Sequence, residues 1–295
     1  MSITNLSGHF PTLDFDSIVS CCDDKGLLFD YFADQVDINL QNTLVTELMS
    51  KYATVSKQLE NQNKMLDKYN NQLEELVQAK IKEISESQIA TIHALVKSAE
   101  TRDDDTGDHI ERTSAYCRLI AEKLMEAGLY KGLVDKAYAS NLEKASPLHD
   151  VGKVGIRDNI LLKPARLTLE ECEIMKTHVV IGHETLASVE AIYHENEFLK
   201  IGMEICRFHH EKWDGSGYIQ GLSGKAIPLS ARIMAISDVY DALRSKRTYK
   251  EAFTHKKAIS IMAKGRGSHF DPELADLFME HHLLFCEIYD RLSQR

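Results

Sequence analysis

The sequence contains an adjacent histidine–aspartate pair, His149-Asp150, followed three residues later by Lys153. On a helix, adjacent side chains diverge by roughly 100°, so a compact mononuclear site would rarely take both. A carboxylate has two oxygens and can bridge two metal ions, while a neighbouring histidine binds one of them. The pair therefore suits a multinuclear metal site better than a lone zinc ion. Such a pair also arises often by chance, so further ligands must come from elsewhere in the chain.

Upstream, Asp105 and His109 are four residues apart. If this stretch is helical, both side chains lie on one face and could bind the same metal ion. The alternative is that Asp105 belongs to an acidic turn, with Thr106 or Asp108 capping the next helix. The residues alone leave both interpretations open.

Downstream, His178 lies among apolar residues, where a lone histidine is more often part of the core. Thr168 and Glu171 form a capping-box pattern, which predicts that a helix starts there and carries His178. The paired His209-His210 predicts two ligands at a helix end, one for each of two metal ions.

Asp238 is embedded in an apolar helical stretch. Because a buried carboxylate destabilises the fold unless it is paired or metal-bound, Asp238 is a better ligand candidate than most acidic residues in this chain. Asp241, three residues later, is interpreted as structural.

Two stretches near these residues could bind a ligand. The Asp214–Gly217 run predicts a flexible loop that can approach a ligand closely. The Arg244–Lys250 segment holds four basic groups in seven residues and is either a solvated charge run or a clamp for substrate phosphates.

The composition excludes several classes of protein. The net charge of −10 over 295 residues argues against duplex nucleic acid as a partner, but a small phosphate ester remains compatible. Six scattered cysteines without C-x-x-C spacing predict reduced thiols. No stretch reaches the roughly 18 apolar residues of a membrane span, and the N-terminus lacks a signal-peptide pattern. These features predict a cytoplasmic protein.

The chain is predicted to have three parts. Residues 1–34 form a short segment of unknown role, residues 35–98 a long helix, and residues 99–295 the domain that carries the chemistry. The helix has an apolar heptad seam of nine positions that includes polar Gln62: Leu48, Tyr52, Val55, Leu59, Gln62, Leu66, Tyr69, Leu73 and Leu76. The seam predicts a parallel two-stranded coiled coil that dimerises the protein. The alternative is an amphipathic helix that packs back on its own domain.

The order of the motifs from about Ala99 to Leu284 resembles the HD-GYP family, a branch of the HD metal-dependent phosphohydrolases. The motifs that carry the resemblance are His149-Asp150 with Lys153, Lys163-Pro164, Met175-Lys176-x-His178, His209-His210-Glu211, Asp214-Gly215-Ser216-Gly217-Tyr218, Pro228-Leu229-x-Ala231-Arg232-Ile233, Asp238-Val239-Tyr240-Asp241-Ala242-Leu243 and Ser245-x-Arg247-x-Tyr249-Lys250.

The resemblance implies an all-α fold, an HD-type helical bundle preceded by a long coiled-coil-like helix. It implies hydrolysis of a 3′,5′-cyclic dinucleotide, cyclic di-GMP or 3′3′-cyclic GMP-AMP, to the linear dinucleotide and sometimes to mononucleotides, by attack of a metal-bridging hydroxide. Two or three divalent ions, iron or manganese, are expected. The implied metal ligands are Asp105, His109, His149, Asp150, His178, His209, His210 and Asp238, with Asp150 bridging and Asp105 needed only for a third ion.

The same resemblance implies catalytic roles for Asp150 and Lys153. The residues expected to contact substrate are Lys153, Tyr218, Arg247 and Lys250. The chain departs from the family pattern where Ile219 replaces the proline of the Gly-Tyr-Pro tripeptide, which leaves base preference open. Two alternatives to a cyclic-dinucleotide phosphodiesterase remain: a receptor that binds the dinucleotide without cleaving it and signals through the coiled coil, and a phosphohydrolase acting on mononucleotides or other phosphoesters.

Overall fold

The computed structural model describes residues 25–100, 108–192, 196–246 and 252–293. Within these ranges the chain is helical apart from turns, loops and one isolated β-bridge between Arg266 and Phe270. The all-α prediction is confirmed. The α-helices are α1 (Lys25–Glu100), α2 (Asp108–Glu126), α3 (Lys136–Ala145), α4 (Asp158–Leu161), α5 (Leu169–Lys176), α6 (His178–Glu190), α7 (Glu197–Phe208), α8 (Leu229–Arg244), α9 (His255–Lys264) and α10 (Pro272–Leu292). Two 3₁₀ helices span Ser146–Gly155 and Gly224–Ala226.

Helix α1 is 76 residues long, which confirms the predicted long N-terminal helix. The chain forms two compact units, the first ending at Lys82 and the second beginning at Glu83. The domain limits predicted at residues 34 and 98 remain predictions. In the first unit the seam side chains are exposed within the single chain, from 57% for Leu59 to 77% for Tyr52. Among the described helices, none is long and apolar enough to cross a bilayer.

The second unit has two packed cores. The larger joins α2, α3, α8 and α10 through fully buried side chains such as Tyr116, Ile233, Met234 and Phe285. The smaller contains Val96, Ile110, Leu148, Leu186, Leu199 and Cys206. It therefore ties the C-terminal end of α1 to α2, α6, α7 and the 3₁₀ helix Ser146–Gly155.

The segment before His178 differs from its prediction in one respect. Thr168 caps α5 and forms the predicted capping box with Glu171. The predicted single helix is wrong, however, because it breaks at Thr177, which ends α5 and precedes α6. The Thr177 N–H and hydroxyl both donate hydrogen bonds to the Ile174 carbonyl oxygen, which makes the last turn of α5 a tighter 3₁₀-type turn. His178 is then the first residue of α6.

Close backbone packing joins the 3₁₀ helix Ser146–Gly155 to α6. A Cβ atom placed on Gly152 would lie 1.9 Å from the His178 carbonyl oxygen and 2.5 Å from the Gly182 nitrogen. Both neighbours are main-chain atoms and cannot rotate away. Glycine at position 152 is therefore what allows the His149-Asp150 pair to approach α6.

Replacing Gly152 with alanine is expected to destabilise the second unit strongly, because the new methyl group overlaps backbone atoms. We expect a loss of about 3 kcal/mol or more in the free energy of unfolding, and a fall in Tm of about 6–12 °C. Circular dichroism would follow the thermal transition. Gly155→Ala is the matched control, since its Cβ would meet only side-chain atoms of Ile181 at 3.0 Å. Equal Tm values for the two variants would contradict this account of the packing.

Candidate metal centre

Five structural elements bring the predicted ligands together. The 3₁₀ helix Ser146–Gly155 supplies its histidine and aspartate from its middle, where side chains face the adjoining helices. Helix α6 supplies its first residue, and α7 supplies the two residues that follow its end. Helices α2 and α8 supply one residue each. In that order the residues are His149, Asp150, His178, His209, His210, His109 and Asp238.

These side chains form two adjacent groups of potential metal ligands. In one group, Asp150, His178, His209 and His210 have ligand atoms within 4.8 Å of one another. The other group consists of His109, His149 and Asp238, with the same spacing.

Asp150 lies between the two groups. One of its oxygens, Oδ1, is 3.2 Å from Nε2 of His178 and 3.8 Å from Nε2 of His209. The other oxygen, Oδ2, is 3.3 Å from Nε2 of His149, which belongs to the second group. This is the arrangement expected of a carboxylate that bridges two metal ions.

The orientation of three histidines is fixed by the main chain. Nδ1 of His149 lies 3.0 Å from the Ser146 carbonyl oxygen, and Nδ1 of His178 lies 2.8 Å from that of Met175. Nδ1 of His209 lies 2.9 Å from the carbonyl oxygen of Ile205. Because a carbonyl can only accept, each Nδ1 must carry the proton, and each Nε2 lone pair is left facing the site.

Several buried atoms at this centre have no hydrogen-bond partner within the part of the chain that the structure describes. They are Oδ1 of Asp150, Nε2 of His178 and Nε2 of His209. Buried polar atoms are rarely left unsatisfied, because burial without a partner costs about 1–3 kcal/mol each. A divalent cation would satisfy all three. Imidazole nitrogens and carboxylate oxygens also match the ligand preferences of iron and manganese, so these residues fit the implied metal ions.

The protonation states also suit metal binding. Burial and the neighbouring His149 lower the pKa of His209 to about 4. The pKa of His210 is lowered further, by burial and by His209. For Asp150, burial alone would raise the pKa, but the positive charge of Lys153 and the neighbouring His149 hold it well below its usual range. At neutral pH the lone pairs and the carboxylate charge are therefore available.

His109 is oriented by a side chain instead of a carbonyl. Its Nδ1 lies 2.8 Å from Oδ2 of Asp241, a fully buried carboxylate. Arg112 donates two hydrogen bonds to the same carboxylate, at 2.6 and 2.8 Å, and a third to Ser245. Burial would raise the pKa of Asp241, but the hydrogen bonds from Arg112 and His109 lower it, so it remains charged. Asp241 thus fixes the ring of His109 and raises its basicity.

The interpretation of Asp241 as merely structural therefore missed its contact with His109. Arg112 went unnoticed as well. The signal was spacing: Asp241 is three residues after Asp238 on α8, and Arg112 is three after His109 on α2. Such pairs share a helix face.

Two of the remaining predicted site residues, Lys153 and Tyr218, lie beside the ligand groups, and the other three fall outside the described ranges. Nζ of Lys153 lies 2.9 Å from Oδ2 of Asp150, at the edge of the centre. The ring of Tyr218 stacks on that of His210, with centroids 4.8 Å apart, and the Tyr218–Ile219 peptide is cis. Three predicted residues lie outside the described ranges: Asp105, Arg247 and Lys250.

The chain matches a protein-family model and is similar to several named proteins. A family model described as "HD domain" matches residues 53–274. A cyclic di-GMP phosphodiesterase of Vibrio cholerae is 48% identical over 209 residues, covering 71% of this chain and 42% of that protein. A Vibrio cholerae 3′3′-cGAMP-specific phosphodiesterase 2 is 40% identical over 199 residues, covering 68% of this chain and 36% of that protein.

A third relative is the cyclic di-GMP phosphodiesterase response regulator RpfG of Xanthomonas campestris. It is 40% identical over 236 residues, which cover 80% of this chain and 59% of that protein. The chain thus spans less than two thirds of the length of each of these relatives.

Replacing Asp241 with asparagine should weaken metal binding at the group containing His109, because the ring loses its charged partner. We expect metal affinity about 10–100-fold lower, measured by metal analysis after equilibration in metal buffers of known free concentration. The matched control is Asp276→Asn, which removes a carboxylate bound by two nitrogens of Arg266 on the exposed surface. Unchanged metal affinity in a folded Asp241→Asn protein would contradict the positioning role of this carboxylate.

Proposed function

The chain belongs to the HD-domain family and to its HD-GYP branch, and on that premise we propose that it is a metal-dependent phosphodiesterase acting on a 3′,5′-cyclic dinucleotide. The proposed product is the linear dinucleotide. Relatives named for cyclic di-GMP and for 3′3′-cGAMP support this substrate class. The protein is expected to work in the cytoplasm.

The observation that carries the proposal is the position of Asp150 between two groups of ligands. Its oxygens face His178 and His209 on one side and His149 on the other. We infer that the centre takes two divalent ions, iron or manganese, with Asp150 shared between them. Asp105 is the residue proposed for a third ion.

Bound divalent ions would supply Lewis-acid chemistry, neutralising charge on phosphate oxygens and making water acidic enough to provide a nucleophile near neutral pH. The chain's own residues bind and orient. Lys153 lies beside Asp150 and can stabilise negative charge that develops on the phosphate in the transition state. Arg247 and Lys250 are proposed to hold the substrate phosphates.

Tyr218 is proposed as the aromatic contact for substrate. Its ring is only partly buried and lies on His210, so one face borders the ligand groups. Aromatic rings stack on nucleobases with little dependence on base identity, at about 1–3 kcal/mol per base. Tyr218 therefore contributes affinity more than base selection.

Hydrolysis assays on cyclic di-GMP and 3′3′-cyclic GMP-AMP side by side test the function. The protein would be purified anaerobically, supplied with manganese or ferrous iron, and analysed for metal on the same sample. We expect the wild-type protein to turn over at least one substrate. In Asp150→Ala turnover should fall by about 10²–10³-fold or more, a loss comparable with removal of a principal electrostatic stabiliser. Asp276→Ala, which removes an exposed carboxylate, should retain activity.

The other outcomes each identify an alternative. Metal-loaded protein that binds a cyclic dinucleotide tightly without cleaving it would be a receptor. Metal-loaded protein that neither binds nor cleaves would be a phosphohydrolase of other esters. Full turnover by Asp150→Ala would overturn the proposed centre.

We further propose that the protein is a homodimer joined by a parallel coiled coil of α1. Seam residues such as Leu59, Leu66 and Leu73 repeat every seven residues and are each more than half exposed in the single chain. A continuous exposed apolar stripe of this length is a typical protein interface. A second copy of the same helix is the partner that the heptad spacing fits.

Placing a glutamate in the seam should dissociate the dimer, because two buried carboxylates would face each other. Leu66→Glu is expected to shift the mass measured by light scattering from two chains to one. Asn71→Glu, which adds the same charge to the face of α1 opposite the seam, should leave the dimer intact. Leu48→Cys tests the direction, since this end of the seam meets its counterpart only in a parallel pair and should cross-link under oxidation. A monomeric wild-type protein would end the dimer proposal.

A further inference from the structure

A buried carboxylate binds the far end of the loop that follows His209-His210. Glu211 is 2% exposed, and its Oε1 accepts hydrogen bonds from the backbone N–H groups of Gln220, at 2.7 Å, and Gly221, at 3.1 Å. Its other oxygen, Oε2, is buried and has no hydrogen-bond partner among the described residues. The hydrogen bonding of this side chain is therefore concentrated on one oxygen and on the far end of the loop.

Two more contacts hold the loop against the same stretch. The N–H of Tyr218 donates to the carbonyl oxygen of His210 at 3.3 Å. A Cβ on Gly217 would lie 2.4 Å from the nitrogen of Lys212 and 2.6 Å from the carbonyl oxygen of His210. Residues 217–221 therefore lie directly on residues 210–212, with Glu211 fastening the end.

Because the loop folds back in this way, the Tyr218 side chain lies against His210. Its ring lies on His210 with an interplanar angle of 25°, and the ammonium group of Lys176, at the end of α5, lies 5.5 Å from the Tyr218 ring centroid. An ammonium near an aromatic face stabilises the ring electrostatically. Lys176 and His210 thus both lie close to the Tyr218 ring, at the edge of the ligand groups.

We propose that Glu211 is a positioning residue: it holds the loop so that the Tyr218 ring stays on His210 and faces the substrate. The inference rests on the proposed function only in assigning Tyr218 to the substrate. Glu211 belongs to neither group of potential ligands among the described residues, so its effect on the centre passes through the loop. Hydrogen bonds from N–H groups to a carboxylate are about twice as strong as neutral ones, which suits this role.

The chain carries its own reporter for the test. Trp213, the single tryptophan of the sequence, lies in the loop two residues after Glu211. Its carbonyl oxygen accepts a hydrogen bond from the N–H of Gly224, three residues beyond Gly221, so its environment changes when the end of the loop that Glu211 holds is released. Acrylamide quenching of its fluorescence measures loop exposure without substrate and independently of activity.

Three substitutions at Glu211 separate the effect of side-chain length from the effect of charge. Glu211→Ala removes the acceptor, Glu211→Asp keeps the charge but shortens the side chain, and Glu211→Gln keeps both reach and an acceptor oxygen. Glu184→Ala, which removes an exposed glutamate on α6, is the control. Each protein would be compared for thermal unfolding, metal content, Trp213 quenching, kcat and KM.

We expect the alanine and aspartate variants to bind metal normally but to show higher quenching and a KM about tenfold higher, equivalent to about 1.4 kcal/mol, with a smaller change in kcat. Glu211→Gln should restore quenching and KM toward wild type. If Glu211→Ala does not fold, the aspartate–glutamine comparison decides in the same way.

Wild-type quenching in the alanine or aspartate variant would overturn the inference, as would a glutamine variant as defective as alanine. Loss of metal with unchanged quenching would also overturn it, because Glu211 would then act on the ligands directly. If the wild-type protein cleaves neither cyclic dinucleotide, the proposed function fails, while the quenching series still decides whether Glu211 holds the loop.

Discussion

The carboxylate of Asp150 is the group on which the arrangement of the centre depends. It is largely buried, and histidine rings from the 3₁₀ helix, from the start of α6 and from the end of α7 surround it within the two ligand groups. A charged group in such a place is stable only if positive charge is close by. Lys153 supplies part of that charge from the same 3₁₀ helix. Nε2 of His178 and Nε2 of His209, which have no hydrogen-bond partner among the described residues, lie beside Asp150 where the proposed cations would supply the rest.

The positions of the side chains at this centre are set largely by the backbone. His178 begins α6 and His209 follows α7, so both rings project from helix ends toward the His149-Asp150 pair. The contact between Gly152 and α6 sets the distance across which these rings meet the pair. Packing of α2 and α8 in the larger core then brings His109 and Asp238 to the other side. Ligands that are far apart in the sequence therefore converge through helix packing alone.

The sequence allowed the all-α class and the long helix to be predicted, and the structure brings the described candidate ligands together in two groups. These features depend on residue types and on short spacings, which the sequence displays directly. The break at Thr177 could not be predicted, because it depends on a local choice between 3₁₀ and α hydrogen bonds that tertiary packing decides. The roles of Asp241 and Glu211 were missed for a related reason. The partners of Glu211 are backbone N–H groups, which leave no side-chain pattern in the sequence. The spacing of Asp241 places it on the same helix face as Asp238 but does not identify the distant His109 as its partner.

Four histidines of the centre differ in what a substitution at the orienting partner can alter. The orienting partners of His149, His178 and His209 are main-chain carbonyls, which nearly every amino acid provides equally well. Drift at the residues that supply those carbonyls would leave the three rings in place. His109 alone among these four depends on another residue's identity, through Asp241. A substitution at the orienting partner can therefore tune the basicity of His109, while a side-chain change at Ser146, Met175 or Ile205 leaves the carbonyl partners of the other three rings in place.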